Sequence, residues 1–118
     1  MFQINQHIIK NYNPPFIISE AGLNHNGDLE KAFEMIELAK ASGSDAVKFQ
    51  TYVAKDFISD LNQTYTYYSQ GKEITESMIT MFERCEFSRE EWFQIKEKCM
   101  DENIIFLSTP VNSPDVKL

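Results

Sequence analysis

The stretch FIISEAGLNHNG, residues 16–27, decides the fold because it joins a short apolar run to a polar loop that contains glycine. Residues 16–21 (FIISEA) follow two prolines and predict a strand buried on both faces of a parallel sheet. The run ends in a carboxylate, a histidine, two asparagines and two glycines. Polar residues at a strand end are typical of the ligand-bearing edge of an α/β protein.

Helix and strand signals alternate along the chain after this stretch. Asp28 is expected to cap a helix whose apolar residues recur at helical spacing, and Gly43 is expected to end it. Residues 45–51 (DAVKFQT) predict a second strand, and residues 104–109 (IIFLST) predict a third strand closed by Pro110. The order strand, helix, strand indicates repeated βα units.

Between the second and third strands lies an interval that is longer than a plain connection needs, at residues 52–87. It holds a tyrosine-rich patch, TYTYYSQGK, followed by a helix predicted across ITESMITMFERC, residues 74–85. The tyrosines at 65, 67 and 68 either pack under their own loop or stack on a sugar-like ligand.

Two helix starts are predicted near the end of the chain. Ser88 and Glu91 form a capping box, with Phe87 and Trp92 at the positions of a hydrophobic staple, and this helix should run to about residue 101. Ser113 and Pro114 are expected to be the N-cap and first residue of a further helix.

The fold class is therefore α/β, with a parallel sheet. Because the last helix has no length in which to cover the sheet, we expect the natural chain to continue past Leu118. Three strands are somewhat under half of a TIM (β/α)8 barrel, which needs about 250 residues. A doubly wound open sheet is the alternative architecture.

The amino-acid composition indicates which kinds of partner the protein binds and in which cellular compartment it lies. The net charge of −7 gives no basic surface for nucleic acid or an anionic membrane, although a few local cations could still bind an anionic substrate. Cys85 and Cys99 form no CxxC pair, which favours a reduced chain in the cytoplasm and leaves a disulfide open. No segment has the length of a membrane span or a signal-peptide core.

All three predicted strands end in polar side chains that should meet at one edge of the sheet. The residues are Glu20 with Asn24 and His25, then Lys48 and Gln50, then Ser108 and Thr109. In the second strand, alternation places Val47, Phe49 and Thr51 on one face and Ala46, Lys48 and Gln50 on the other. We expect the polar face of that strand to line a ligand site.

Each candidate also has a purely structural interpretation. Glu20 and Lys48 could form an ion pair between neighbouring strands, or could hold a substrate anion and move a proton. Asn24 and His25 could only shape a turn, and Thr109 could cap a loop instead of receiving a phosphate or carboxylate.

Four motifs occur in an order and spacing that resemble one family. They are FIISEAGLNHNG, DAVKFQTY, MFERCEFSREEW and IIFLSTP, and together they cover nearly all of residues 14–118. The chain resembles the N-acetylneuraminate (sialic acid) synthases, with legionaminate and pseudaminate synthases as close relatives. The form AGLNHNG is more similar to the sialic and legionaminic branches.

This resemblance implies a TIM-barrel enzyme that condenses phosphoenolpyruvate with an N-acetylated hexosamine, giving a nine-carbon 2-keto sugar acid and phosphate. By that resemblance, Lys48 and Thr109 contact phosphoenolpyruvate, Gln50 contacts the acceptor sugar, and Glu20 lies near the reacting carbons. Asn24 and His25 are expected at the substrate site as well.

The resemblance also implies parts that lie outside the given chain. Residues 1–118 would be the N-terminal portion of the barrel, about three βα units, without the C-terminal half and the antifreeze-like domain. A divalent metal, Mn or Mg, would be held by ligands beyond residue 118, and the full-length protein would be a homodimer. Residues 1–118 alone would then be inactive. The alternatives are a complete, non-catalytic α/β binding module and another phosphoenolpyruvate-dependent barrel synthase.

Overall fold

A computed structural model of the chain describes residues 1–117 and contains seven strands and four α-helices within that range. The strands are β1 (Phe2–Ile4), β2 (His7–Ile9), β3 (Ile18–Gly22), β4 (Ala46–Thr51), β5 (Thr64–Ser69), β6 (Lys72–Ser77) and β7 (Ile105–Pro110). The helices are α1 (Leu29–Ala41), α2 (Ala54–Phe57), α3 (Met78–Arg84) and α4 (Arg89–Asp101), followed by a 3-10 turn at Ser113–Lys117.

A three-stranded parallel sheet in the order β3–β4–β7 forms the centre of the structure. They correspond to the three predicted strands, with α1 connecting the first pair and α4 leading into the last. The first strand begins at Ile18, later than predicted, and the prediction that it is buried on both faces is wrong, since Ile18 and Glu20 are exposed. The predicted α/β class with a parallel sheet is confirmed. The carboxyl ends of all three strands lie at one edge, as parallel pairing requires.

One face of this sheet packs against α1 and α4 to form the hydrophobic core. Val47 and Phe49 of β4 are almost fully buried there, together with Ile36 of α1 and Ile95 and Trp92 of α4. The rings of Phe49 and Trp92 meet edge to face at 6.0 Å. The predicted alternation in β4 is therefore confirmed, since its apolar residues face the helices.

The predicted ends of both long helices are also confirmed. Asp28 Oδ1 accepts hydrogen bonds from the backbone N–H groups of Glu30 (3.0 Å) and Lys31 (3.2 Å), and Gly43 follows the helix with φ +84°. At α4, Ser88 and Glu91 form the reciprocal capping box.

The hydrophobic staple before α4 is present as well. Phe87 and Trp92 meet edge to face with their ring centroids 5.3 Å apart. Both side chains are about 5% exposed, so the staple ties the entry of α4 into the core.

The helix predicted across residues 74–85 is wrong in its first part. Residues 72–77 form β6, which pairs antiparallel with β5, and the helix begins only at Met78. Gln70 and Gly71 join the two strands with φ values of +51° and +76°, which is the backbone of a type I′ hairpin turn. The tyrosine-rich patch is thus one strand of a hairpin.

The ends of the described chain also differ from expectation. Ser113 begins a 3-10 turn, in which Asp115 Oδ2 accepts from the backbone N–H of Asn112, instead of capping an α-helix. Residues 2–9 form an unpredicted hairpin. Both cysteines are buried and free, and none of the helices in residues 1–117 could cross a membrane.

The capping box gives a test of how α4 is held. Ser88→Ala should lower the free energy of unfolding by about 1 kcal/mol, because the N–H of Glu91 loses its side-chain acceptor. Chemical denaturation measures this loss. Ser77→Ala is the matched control, since Ser77 is the N-cap of α3 and makes no side-chain capping bond. Equal losses in the two variants would contradict the prediction.

Candidate functional site

The face of the sheet that points away from the helices carries the polar candidates in register. Going along the strands, the first row is Ile18, Ala46 and Ile105, the second is Glu20, Lys48 and Leu107, and the third is Gln50 and Thr109. Residues paired in register on parallel strands share a face. The face therefore changes from apolar to polar toward the carboxyl ends of the strands.

An ion pair lies at the centre of this face. Lys48 Nζ is 2.7 Å from Glu20 Oε2, and the two side chains remain 36% and 50% exposed. Glu20 Oε1 accepts a second hydrogen bond, 3.1 Å long, from the backbone N–H of Gly22. The carboxylate is thus fixed from two sides, while Lys48 keeps further N–H donors for a ligand.

A bulge at the end of β3 creates the second of these contacts. Glu20 pairs with Lys48 but Gly22 pairs with Phe49, so Ala21 is an extra residue in the strand. Gly22 has φ +54°, a backbone conformation that side chains disfavour. Bulges of this kind redirect nearby side chains, and this one turns the Gly22 amide back onto the Glu20 carboxylate.

The motif loop, which we define as residues 22–28, continues as a series of tight turns. Asn24 Nδ2 donates to the Ala21 carbonyl at 3.0 Å, and Asn26 and Gly27 both have positive φ. Asn24 is exposed, and its Nδ2 lies within 4.0 Å of the position that a Cβ on Gly22 would take, with Glu20 Oε1 at 3.7 Å from the same point. The Asn24 amide and the Glu20 carboxylate therefore both lie next to Gly22.

His25 lies in the core and away from the open face. It is completely buried, its ring stacks on Phe87 at 4.3 Å between centroids, and its Nδ1 accepts from the Gly27 N–H at 3.0 Å. Its Nε2 has no hydrogen-bond partner among the described residues. His25 therefore shapes the turn, which was one of the two roles considered for it. Contact between His25 and substrate stays a prediction, and the buried position of the ring does not favour it.

Burial also sets the charge of His25. It lowers the pKa of the imidazole to about 4, and the Gly22 backbone opposes that shift only in part. Because Nδ1 is an acceptor, the proton of the neutral ring is on Nε2. His25 is thus a neutral structural group near neutral pH.

The third strand end divides its two polar residues between the faces. Thr109 is exposed on the open face, in register with Gln50. Ser108 lies on the helix side, where its hydroxyl is 2.5 Å from Thr51 Oγ1. Ser108 therefore lies at the expected end of the strand but not on the open face, because alternation places neighbours on opposite faces.

A cavity lies outside this polar face, on the other side of the sheet. This cavity of about 290 Å³ opens on the helix side between α4 and β7, next to Trp92 and Phe93. Within residues 1–117, no group of three or more histidine, cysteine or acidic side chains is placed to hold a metal ion. The candidate site is the polar end of the open face.

A contact that the sequence analysis missed joins the motif loop to α3. A Cβ built on Gly27 would lie 1.9 Å from the carbonyl oxygen of Arg84 and 3.1 Å from its carbonyl carbon. Only a residue without a side chain allows the two backbones to approach this closely. The glycine in the motif was a signal for such an approach, but nothing in the sequence indicates which segment approaches.

Substitution of Gly27 tests this contact. Gly27→Ala should lower the free energy of unfolding by about 3 kcal/mol or more, because a clash with the Arg84 backbone adds to the cost of φ +74°. Gly43→Ala is the matched control, since Gly43 has φ +84° and nothing within 4 Å of its added Cβ. Denaturation curves that shift equally for both variants would exclude a special contact at Gly27.

The buried imidazole predicts a pH dependence of stability. The pKa of His25 is about 4 in the folded chain and 6.5 ordinarily, so the unfolded chain takes up the proton first. This contribution to stability is complete above pH 6.5 and is lost as the pH falls toward 4, a change on the order of 3 kcal/mol. Urea denaturation at several pH values should show the loss, and His25→Gln should flatten it. An NMR titration of His25 near pH 6.5 would contradict it.

Comparison with known proteins identifies relatives of this chain. The NeuB family model matches residues 35–118. The chain is 41% identical over 105 residues to the N,N'-diacetyllegionaminic acid synthase of Campylobacter jejuni, covering 86% of this chain and 30% of that protein. It is 38% identical over 94 residues to the Legionella pneumophila protein of the same name, covering 80% of this chain and 26% of that protein.

A solved structure agrees with these sequence relatives. The N-acetylneuraminic acid (sialic acid) synthetase of Leptospira borgpetersenii superposes with a TM-score of 0.79 and 30% identity, covering 98% of this chain and 36% of that one. The chain thus spans about a quarter to a third of the length of the proteins it matches. Since the family model covers most of its residues and the fold agrees, the chain belongs to the NeuB family.

Proposed function

We propose that this chain forms one wall of the active site of a synthase that condenses phosphoenolpyruvate with an N-acetylated hexosamine. The observation that carries the proposal is the half-exposed Glu20–Lys48 ion pair on the open face, with Gln50 and Thr109 in the next row. The similarity to legionaminic and sialic acid synthases supports the substrate class.

We propose further that β3, β4 and β7 are the first strands of a (β/α)8 barrel whose interior is the open face. Their parallel order, the intervening helices on one side and the 36% coverage of the Leptospira structure support this. The C-terminal edge of such a barrel carries the active site, and that is where the polar rows lie. The rest of the barrel would come from sequence beyond the given chain.

Lys48 is proposed to bind the phosphate or carboxylate of phosphoenolpyruvate. Its ammonium has three N–H donors and one is directed to Glu20, which leaves others for an anion. Thr109, exposed on the neighbouring strand, can add a hydroxyl donor to the same anion. Glu20 offsets part of the positive charge, so the lysine is held in place before the substrate arrives.

Glu20 is proposed to direct water and accept a proton during the reaction. The enol carbon of phosphoenolpyruvate forms a carbon–carbon bond with the acceptor aldehyde, and water then adds to the oxocarbenium-like carbon that results. Glu20 accepts a proton from that water, and the alkoxide formed from the aldehyde oxygen takes up a proton to become a hydroxyl. The tetrahedral carbon then becomes the ketone as its C–O bond to phosphate breaks, and phosphate leaves with the remaining hydroxyl proton. The Gly22 amide and Lys48 fix the carboxylate for this step.

The remaining residues of the edge are proposed to bind the acceptor sugar. Gln50 lies one row beyond Lys48 on β4, and the exposed Asn24 amide lies next to Gly22, as the Glu20 carboxylate does. Amide groups can both donate to and accept from sugar hydroxyl and N-acetyl groups. The divalent metal and the second subunit expected from the resemblance would be supplied outside the described residues.

Two substitutions in the intact enzyme that carries this chain test the proposal. Lys48→Ala should raise the KM for phosphoenolpyruvate or abolish turnover, because the anion loses its cation.

Glu20→Gln should lower kcat by about 10²-fold or more, the usual scale of acid–base catalysis, with the fold retained. Phosphate release and formation of the keto acid measure both.

Lys98→Met provides the matched control. Lys98 pairs with Glu37 and Glu102 on the outer surface of α1 and α4, so its loss removes an ion pair without touching the open face. Unchanged kinetics in Lys48→Ala would remove Lys48 from the site. A Glu20→Gln protein that lost stability but kept its rate per folded molecule would show that the ion pair is only structural.

A further inference from the structure

Arg84 occupies a position that connects three parts of the structure. Its guanidinium donates two hydrogen bonds to Glu76 of β6, from Nη1 to Oε2 at 2.8 Å and from Nη2 to Oε1 at 2.9 Å. Tyr67 of β5 donates its hydroxyl to the same Oε1 at 2.8 Å. Both strands of the hairpin are thus joined to the end of α3 through one carboxylate.

This network is well formed for a surface group. The Glu76 side chain is only 19% exposed and the pairing with Arg84 is bidentate, the arrangement that gives the strongest and most directional contact. The hydrogen bonds from Arg84, and to a smaller extent the one from Tyr67, lower the pKa of Glu76 to about 2, so the carboxylate stays charged. The hairpin is therefore fixed to α3 at all moderate pH values.

The backbone of the same residue contacts the motif loop. The Arg84 carbonyl oxygen lies where a side chain on Gly27 would be, 1.9 Å from an added Cβ. The loop in turn is held together by the bond from Gly27 N–H to His25 Nδ1, and its first amide holds Glu20. A shift of the end of α3 cannot be absorbed at this contact without moving the loop.

We propose that Arg84 is a positioning residue, whose side chain fixes the end of α3 to the hairpin and whose backbone thereby fixes the loop that orients Glu20. This inference rests on the proposed function, because it assigns Arg84 an effect on the step in which Glu20 takes part. Arg84 ends α3 and is not one of the residues of the open face.

The effect should fall on kcat and leave the KM values largely unchanged. Displacement of a catalytic group by about 1 Å can cost about 10²-fold in rate. In the intact enzyme, Arg84→Met should lower kcat at least about tenfold, with the KM for both substrates within about threefold of wild type. Arg84→Lys should recover part of the rate, because it retains one charged donor to Glu76.

Hydrogen exchange provides a readout that does not depend on activity. Backbone amides of residues 20–28 and 64–77 should exchange faster in Arg84→Met, because both segments lose their fixed point. Glu76→Gln should have the same effect from the other side of the pair, and it serves as the second variant if Arg84→Met folds poorly. Lys55→Met is the matched control, since Lys55 pairs with Glu83 of α3 at 3.8 Å and has no contact with the hairpin carboxylate.

The outcomes separate the two proposals. A lower kcat together with faster exchange in residues 20–28, neither seen in Lys55→Met, supports the role of Arg84. Unchanged kcat, or unchanged exchange in that loop, overturns it. If the wild-type enzyme does not condense phosphoenolpyruvate with any N-acetylated hexosamine, the proposed function fails, and exchange alone then decides whether Arg84 fixes the loop.

Discussion

The pleat of β4 is the constraint on which the rest of the structure depends. Successive residues of a strand face opposite sides, so burial of Val47 and Phe49 against the helices leaves Lys48 and Gln50 on the open side. Because β3 and β7 pair with β4 in register, this choice extends to Glu20 and to β7. A shift by one residue would bury the charges and expose the core. The hydrophobic effect on one face thus positions the chemistry on the other.

The electrostatics of the open face follow from that arrangement. A fully buried pair of opposite charges must recover a desolvation penalty of several kcal/mol, but in the described chain Glu20 and Lys48 are partly exposed and avoid most of it. The pair therefore contributes little to the stability of the described chain. The ion pair instead orients the Glu20 carboxylate, because the Gly22 amide and Lys48 hold it from two sides.

The long insertion after β4 returns to the site instead of forming a separate unit. It leaves the sheet at Thr51, forms α2, the hairpin and α3, and comes back to the motif loop at Arg84. Tyr52 reinforces this path from within, since its buried hydroxyl donates to the Phe82 carbonyl at 2.9 Å. The polar edge of the sheet is therefore supported by residues far from it in sequence.

Local signals in the sequence determined the parts of the fold that depend on near neighbours. The caps at Asp28 and Ser88, the end of α1 before Gly43 and the two faces of β4 all follow from side chains within a few residues of one another. The same local view failed at residues 74–77, where helical spacing continued back from α3 into a segment that pairs with β5. Strand pairing is decided by a partner, which a local pattern does not contain.

The sequence by itself thus determined which residues are polar at the strand ends, and that Glu20, Lys48 and Gln50 could share a face. Only the tertiary structure decided that His25 turns inward to stack on Phe87 and that the Arg84 backbone meets Gly27. Those choices depend on which distant segment packs against the loop. Packing and register act through space, so they appear only when the elements have come together.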